Sequence, residues 1–274
     1  MVEKVSTGLD KLDEMLGGGL MPGSMILVIG EPGAGKTTLL RRFLYHGASE
    51  GDEGIYLLTN HALDRVLLTM ERCGWGVRGN PSVKFILYNG VVSKRIPSLV
   101  GNFEDLIDIA YNCKRLTSSF ESGSPRMIMD DLSYLFLMNK KEVVFKFLQR
   151  ISQIVRGRGV ICLLEVQKGM FDPQIVTAVE SMTDGTIEMS RGHNVRRLRV
   201  PRMEGGKSSE DWVDIDILSG VSMEAEAERT LDEWQKILTE DDSGQEAEKM
   251  ETALKSMREG VEEKKKGRFF GLRK

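Results

Sequence analysis

The stretch GEPGAGKTT, Gly30 to Thr38, has the spacing G-x-x-x-x-G-K-[ST]. Glycines at these intervals let backbone N–H groups converge on an anion that side chains would otherwise fend off. Lys36 would neutralise the β- and γ-phosphates of a nucleotide, and Thr37 would offer its hydroxyl oxygen to Mg²⁺. The candidate cradle is Gly30, Glu31, Pro32, Gly33, Ala34, Gly35, Lys36, Thr37 and Thr38, with ATP and Mg²⁺ as the expected cofactors. Glu31 is expected to be a solvent-facing position within the loop.

A magnesium nucleotide needs a second element that brings an acid to the metal shell. RMIMDDLSYLF supplies Asp130 at the end of a short apolar run, so Asp130 joins Thr37 as a candidate metal-site residue. Both motifs follow apolar, strand-like runs. The apolar run MILVI precedes the glycine-rich loop and the helical pattern TTLLRRFLYHGA follows it. Further strand-like runs lie at Ile55–Leu58, Lys84–Leu87, Met127–Met129 and Val160–Leu164. Helical patterns fall at Thr37–Glu50, Leu63–Cys73, Phe103–Phe120 and Lys140–Arg156. Strands that alternate with helices of this length predict an α/β fold with a mostly parallel central sheet flanked by helices. Thr186–Ser190, Leu198–Met203 and Trp212–Ile217 have no long helices between them and predict β-hairpins closing one edge.

The stretch from Ser6 to Thr59 resembles the KaiC-like branch of the RecA superfamily. The resemblance is carried by Thr7-Gly8-Leu9-Asp10, Leu16-Gly17-Gly18-Gly19-Leu20, Pro22-Gly23, the glycine-rich loop and Phe43-Leu44-Tyr45. Cys73-Gly74-Trp75, Met127–Ser133 and Asp184-Gly185-Thr186-Ile187 extend it, so that it covers roughly Val5 to Leu218. It implies a RecA-like P-loop core, ATP binding and a tendency to form homo-oligomers, hexameric rings with ATP between subunits. Members of this broad family include clock proteins, recombinase paralogues, and archaeal regulatory and motility ATPases.

Two positions depart from the family pattern. The family usually carries a Glu pair just past the second strand, where this chain has Asn60 and His61. Asn60 can orient a water but is a poor proton acceptor, whereas His61 could accept a proton. The family also often places a Lys and an Arg, two residues apart, toward the neighbour's γ-phosphate. Arg202 occupies the first of these positions, and Glu204 holds the second with the wrong charge. Asp131, directly after Asp130, stands where other P-loop ATPases place a catalytic acid, or it is a loop acid or helix cap for LSYLFLM. The candidate catalytic residues are thus Asn60, His61, Asp131 and Arg202. The expectation is ATP binding with weak or absent hydrolysis in a regulatory or scaffold protein. An active recombinase-type ATPase acting on DNA, or a ring component of an archaellum-type machine, is the alternative.

The rest of the chain bounds these readings. Its 274 residues suffice for one large core and an appendage, 1–221 and 222–274. The formal charge of −3 and the pI near 5.8 give no general affinity for nucleic acid. The stretch 166–180 offers a DNA strand only Lys168 and Phe171. The three cysteines show neither metal spacing nor a disulfide framework, which fits a reducing cytoplasm. No apolar run reaches membrane-spanning length. After Val221, Leu231, Trp234 and Leu238 share a helical face, and Ala247, Met250, Leu254, Met257 and Val261 form a short heptad stripe. The end, KKKGRFFGLRK, reads as a solubilising terminus, a motif for a protein partner, or a weak contact of Lys264 to Lys274 with an anionic membrane.

Overall fold

A computed structural model describes residues 3–90, 98–121, 123–192 and 195–218. By its internal contacts the chain divides into one unit, 1–71 with 75–219, and another, 72–74 with 220–274, of which only 72–74 are described. The heptad stripe and the basic-aromatic tail lie outside the described residues.

The strands are β1 (Met25–Gly30), β2 (Gly54–Leu58), β3 (Val83–Tyr88), β4 (Leu99–Phe103), β5 (Arg126–Met129), β6 (Ile161–Gln167), β7 (Gly185–Arg191), β8 (Arg196–Met203) and β9 (Ser209–Ile215). The helices are α1 (Asp10–Leu16), α2 (Lys36–Glu50), α3 (Leu63–Arg72), α4 (Leu106–Ser118), α5 (Leu132–Met138), α6 (Lys141–Arg158) and α7 (Pro173–Met182). The strands form one sheet in the order β4-β3-β2-β5-β6-β1-β7-β8-β9. Pairing is parallel from β4 to β7 and antiparallel through β8 and β9, so hairpins do close one edge.

Burial explains the central strands. Every residue of β1, β2 and β5 is buried, as expected where helices cover both faces of a parallel sheet. On one face Met25, Leu27 and Ile29 of β1 join Met127 and Met129 of β5 and Cys162, Leu164 and Val166 of β6. Ile109 and Cys113 of α4 and Val144, Leu148 and Ile151 of α6 complete that core. On the other face α2 packs against β2, β5 and β6. Cys113 and Cys162 are free and buried, and burial pushes the Cys113 thiol up to about 12.

The entry to β1 depends on glycine. The Gly17 N–H ends α1 on the Glu14 carbonyl with φ +72. Gly19 has φ +117, and a Cβ there would lie 2.2 Å from the Val5 carbonyl oxygen. That close approach permits the paired bonds between Val5 and Leu20 that anchor the N-terminal segment.

Some elements differ from the sequence expectation. Phe103 belongs to the edge strand β4, and α4 starts at Leu106 because the Asp105 side chain accepts from the Ile107 N–H. Much of 166–180 is α7, begun by an Asp172 cap and Pro173 in its first turn. Among the described residues no helix is long and apolar enough to cross a membrane.

Candidate nucleotide site

Strand β1 delivers the chain to the glycine-rich loop at Gly30, where a Cβ would come within 2.3 Å of the Met189 carbonyl oxygen on β7. Glu31, Pro32 and Gly33 are exposed and Ala34 is buried. Gly33 and Gly35 have φ +76 and +98, values that L side chains rarely adopt. The loop turns directly into α2, whose first residue is Lys36, so the helix N-terminus and the loop amides share one concavity. Lys36 is buried, and its ammonium donates to the Glu31 carbonyl at 3.0 Å. This arrangement fits a polyphosphate: a loop with no side chain at Gly33 or Gly35, one buried cation and a helix dipole of favourable sign.

Glu165 of β6 projects into this cradle. Its Oε2 accepts from Thr37 Oγ1 at 2.7 Å, and its Oε1 lies 3.7 Å from Lys36 Nζ. Burial pushes the Glu165 carboxyl up to about 6, against the opposing pull of the Thr37 hydrogen bond and the Lys36 charge. The sequence holds a signal for it that spacing rules do not collect, an acid inside the apolar strand ICLLEVQ. A charge placed there must find partners or remain unpaired in the core.

Asp130 follows β5 and is fully buried. One carboxylate oxygen accepts from the Tyr56 hydroxyl at 2.9 Å and the other from the Thr59 N–H at 3.0 Å. Arg41 Nε in turn donates to the Tyr56 oxygen at 2.9 Å, making a relay from α2 through β2 to β5. Burial raises Asp130 above the ordinary carboxylate range, opposed chiefly by the positive field of His61 and by the Thr59 hydrogen bond. Carboxylate oxygens each have two lone pairs, so Asp130 keeps capacity to accept from a metal-bound water.

The catalytic candidates separate into two groups. Asn60 and His61 are exposed just past β2. Asn60 Nδ2 lies 3.5 Å from Asp131 Oδ2, the outer edge of hydrogen-bonding range. Asp131 has φ +47, a left-handed conformation unusual for a residue with a side chain. It precedes α5 at the cap position, yet its side chain makes no capping bond. Its backbone is held instead by Thr59 Oγ1, which donates to the Asp131 carbonyl at 3.0 Å. Arg202, by contrast, is engaged at the end of α7. Its Nη2 donates to the Glu180 and Thr183 carbonyls, each at 2.6 Å. Glu204 is exposed in the turn after β8.

Two arginines absent from the sequence expectation flank the loop. Arg191 and Arg196 face each other across the β7–β8 hairpin. A Cβ on Gly33 would lie 3.7 Å from Arg191 Nη1. One on Gly35 would meet Arg196 Cδ at 2.7 Å and Ile217 Cδ1 at 2.8 Å. A guanidinium and an apolar side chain beside a phosphate loop can pair with an anion or stack on a flat ring. Among the described residues no group of three His, Cys, Asp or Glu side chains could hold a metal ion unaided. The side chains present suit an ion that takes further oxygens from a phosphate chain.

Comparison with known proteins agrees with this geometry. The family model described as "ATPase: KaiC" matches residues 5–227. A UPF0273 protein of Thermotoga maritima is 26% identical over 221 residues, spanning 76% of this chain and 90% of the relative. A UPF0273 protein of Saccharolobus solfataricus is 24% identical over 279 residues, spanning 96% and 99%. The DNA repair protein RadA of Mycobacterium tuberculosis is 40% identical over 70 residues, but this covers only 26% of the chain and 15% of RadA. Among solved structures, a KaiC-like protein of Pyrococcus horikoshii superposes with a TM-score of 0.64 at 19% identity, covering 79% of this chain and 95% of that one. With the phosphate loop, the buried acid after β5 and the sheet order all in place, the chain belongs to the KaiC ATPase family.

Proposed function

We propose that this protein is an ATP- and Mg²⁺-dependent switch or scaffold that holds nucleotide and turns it over slowly or not at all. The observation that carries the reading is the end of β2. An exposed amide and imidazole, Asn60 and His61, stand where the family resemblance implies a carboxylate pair. Loss of a general base typically costs about 10²- to 10⁴-fold in rate. The cradle itself, with Lys36, Thr37 and the glycine conformations, supports binding.

In this reading backbone amides and Lys36 bind the phosphates, while Thr37 and Asp130 hold the metal shell. Bound Mg²⁺ would screen the phosphate charges and fix their orientation. Asn60 orients water without removing its proton. Asp131, beside Asn60, is a carboxylate that could supply residual base catalysis. Arg202 is tied to its own α7, which supports a weak contribution to a neighbour's site.

ATP then acts through differential binding. Only a nucleotide that interacts differently with two assembly states can shift them. Homo-oligomer assembly, as a hexameric ring with ATP at the subunit contacts, follows from the family resemblance. The cytoplasm and a protein partner for the C-terminal tail belong to the same proposal. The DNA reading keeps only the short turn 168–172, where Lys168 pairs with Glu188 and the Phe171 ring packs on Phe136. Size-exclusion chromatography with and without ATP tests the assembly claim, and an unchanged monomer in both would sink it. Turnover by wild type against Lys36→Ala tests the catalytic claim.

A further inference from the structure

We propose that Glu165 is a direct oxygen ligand of the divalent cation, cis to Thr37, so that this site binds its metal through a carboxylate on β6. The inference rests on the nucleotide-site reading above and adds a residue to it.

Three observations carry it. Glu165 Oε2 and Thr37 Oγ1 are 2.7 Å apart. Cis oxygens around an octahedral Mg²⁺ at about 2.0–2.1 Å stand roughly 3 Å apart, so a cation displaces the Thr37 hydroxyl proton from that bond with little movement. Second, Glu165 is held by register. It pairs with Val28 on β1, two residues before Gly30 meets Gln167, so it is built on a rigid strand beside the loop rather than on a flexible one. Third, Asp130 is committed elsewhere. Its oxygens accept from Tyr56 and Thr59, which orient the carboxylate and leave its remaining lone pairs to a metal-bound water. Lys36, 3.7 Å from Glu165 in this structure, is then released toward the phosphates as the cation takes over the carboxylate.

A purely structural Glu165 would only fix the Thr37 rotamer. Glutamine keeps the volume and an oxygen that accepts from Thr37, but it removes the charge. The test uses the full chain and begins with ADP binding in EDTA to wild type and Glu165→Gln. Mn²⁺ is then titrated at saturating ADP and free Mn²⁺ is read by electron paramagnetic resonance. The expected result is comparable or tighter metal-free ADP binding by the variant, with Mn²⁺ affinity weakened about tenfold or more. In the wild-type complex, line broadening in ¹⁷O-water should count about three bound waters rather than the roughly four left by Thr37 and one phosphate oxygen alone. This second measurement needs no variant to fold. Equal Mn²⁺ affinities, or four waters in wild type, would overturn the ligand assignment while leaving the nucleotide reading intact. Failure of wild type to bind ADP at all would overturn both.

Discussion

The Tyr56 hydroxyl donates to the buried carboxylate of Asp130 at 2.9 Å and accepts from Arg41 at the same distance. A phenol from β2 thus links a cation of α2 to the acid that follows β5. Burial and the neighbouring Asp130 charge push the Tyr56 phenol well above its ordinary value, which keeps it a donor. Tyr56→Phe should leave both Arg41 and Asp130 short of a partner. The expected loss is about 1–3 kcal/mol of stability, read by urea denaturation. Unchanged stability would mean that water replaces the phenol at this site.

Gly35 is crowded by side chains from the far end of the sheet's edge hairpin and the residues after it. Alanine there combines φ +98 with contacts of 2.7 and 2.8 Å to Arg196 and Ile217. The backbone strain alone costs roughly 1–2 kcal/mol. Gly35→Ala should lose nucleotide affinity by an order of magnitude or more, measured with a fluorescent ATP analogue, while circular dichroism shows the fold retained.

Arg126 anchors the opposite end of the sheet. It is buried, pairs with Asp52 at 3.1 Å, donates to the Ser6 and Phe43 carbonyls, and stacks over the Phe43 ring at 4.6 Å. Gly47 makes room for it, since a Cβ there would lie 2.1 Å from Arg126 Nε. Arg126→Met strands Asp52 and two carbonyls, and should cost about 3–5 kcal/mol in chemical denaturation.

His46 gives the pH dependence a defined sign. Burial, reinforced by the Arg126 charge, lowers its pKa below the usual 6.5. The unfolded chain therefore takes up this proton first. The contribution to stability is present above pH 6.5, falls as pH drops through that value, and levels off below the folded pKa. His46→Gln should flatten the stability profile between pH 7 and pH 5 relative to wild type. A steeper profile in the variant would reverse the assignment.

The cradle was legible because its chemistry forces a contiguous spacing: Gly30, Gly33, Gly35, Lys36 and Thr37 must be neighbours to wrap one anion. The central strands were legible because burial on both faces makes them unbroken apolar runs. Strand β4 was not, since LVGNF is half-exposed at an edge and carries Gly101 and Asn102. Helix α7 was signalled by Asp172 and Pro173, but its apolar residues are mostly half-buried and only Val179 is fully buried, which blurs the amphipathic pattern. Glu165, Arg191 and Arg196 reach the loop from strands far along the chain. Only register brings them there, and register is a tertiary property.

The most direct measurement is a single-turnover assay with Mg²⁺ and γ-labelled ATP on wild type, Lys36→Ala and Asp131→Ala, each with ATP affinity measured in parallel. The account predicts that wild type binds ATP, that Lys36→Ala does not, and that wild-type hydrolysis stays near the Lys36→Ala blank, about 10²- to 10⁴-fold below that of a site with its general base. Wild-type turnover far above the Lys36→Ala blank and abolished by Asp131→Ala would contradict it, and would make Asp131 the base of a working ATPase.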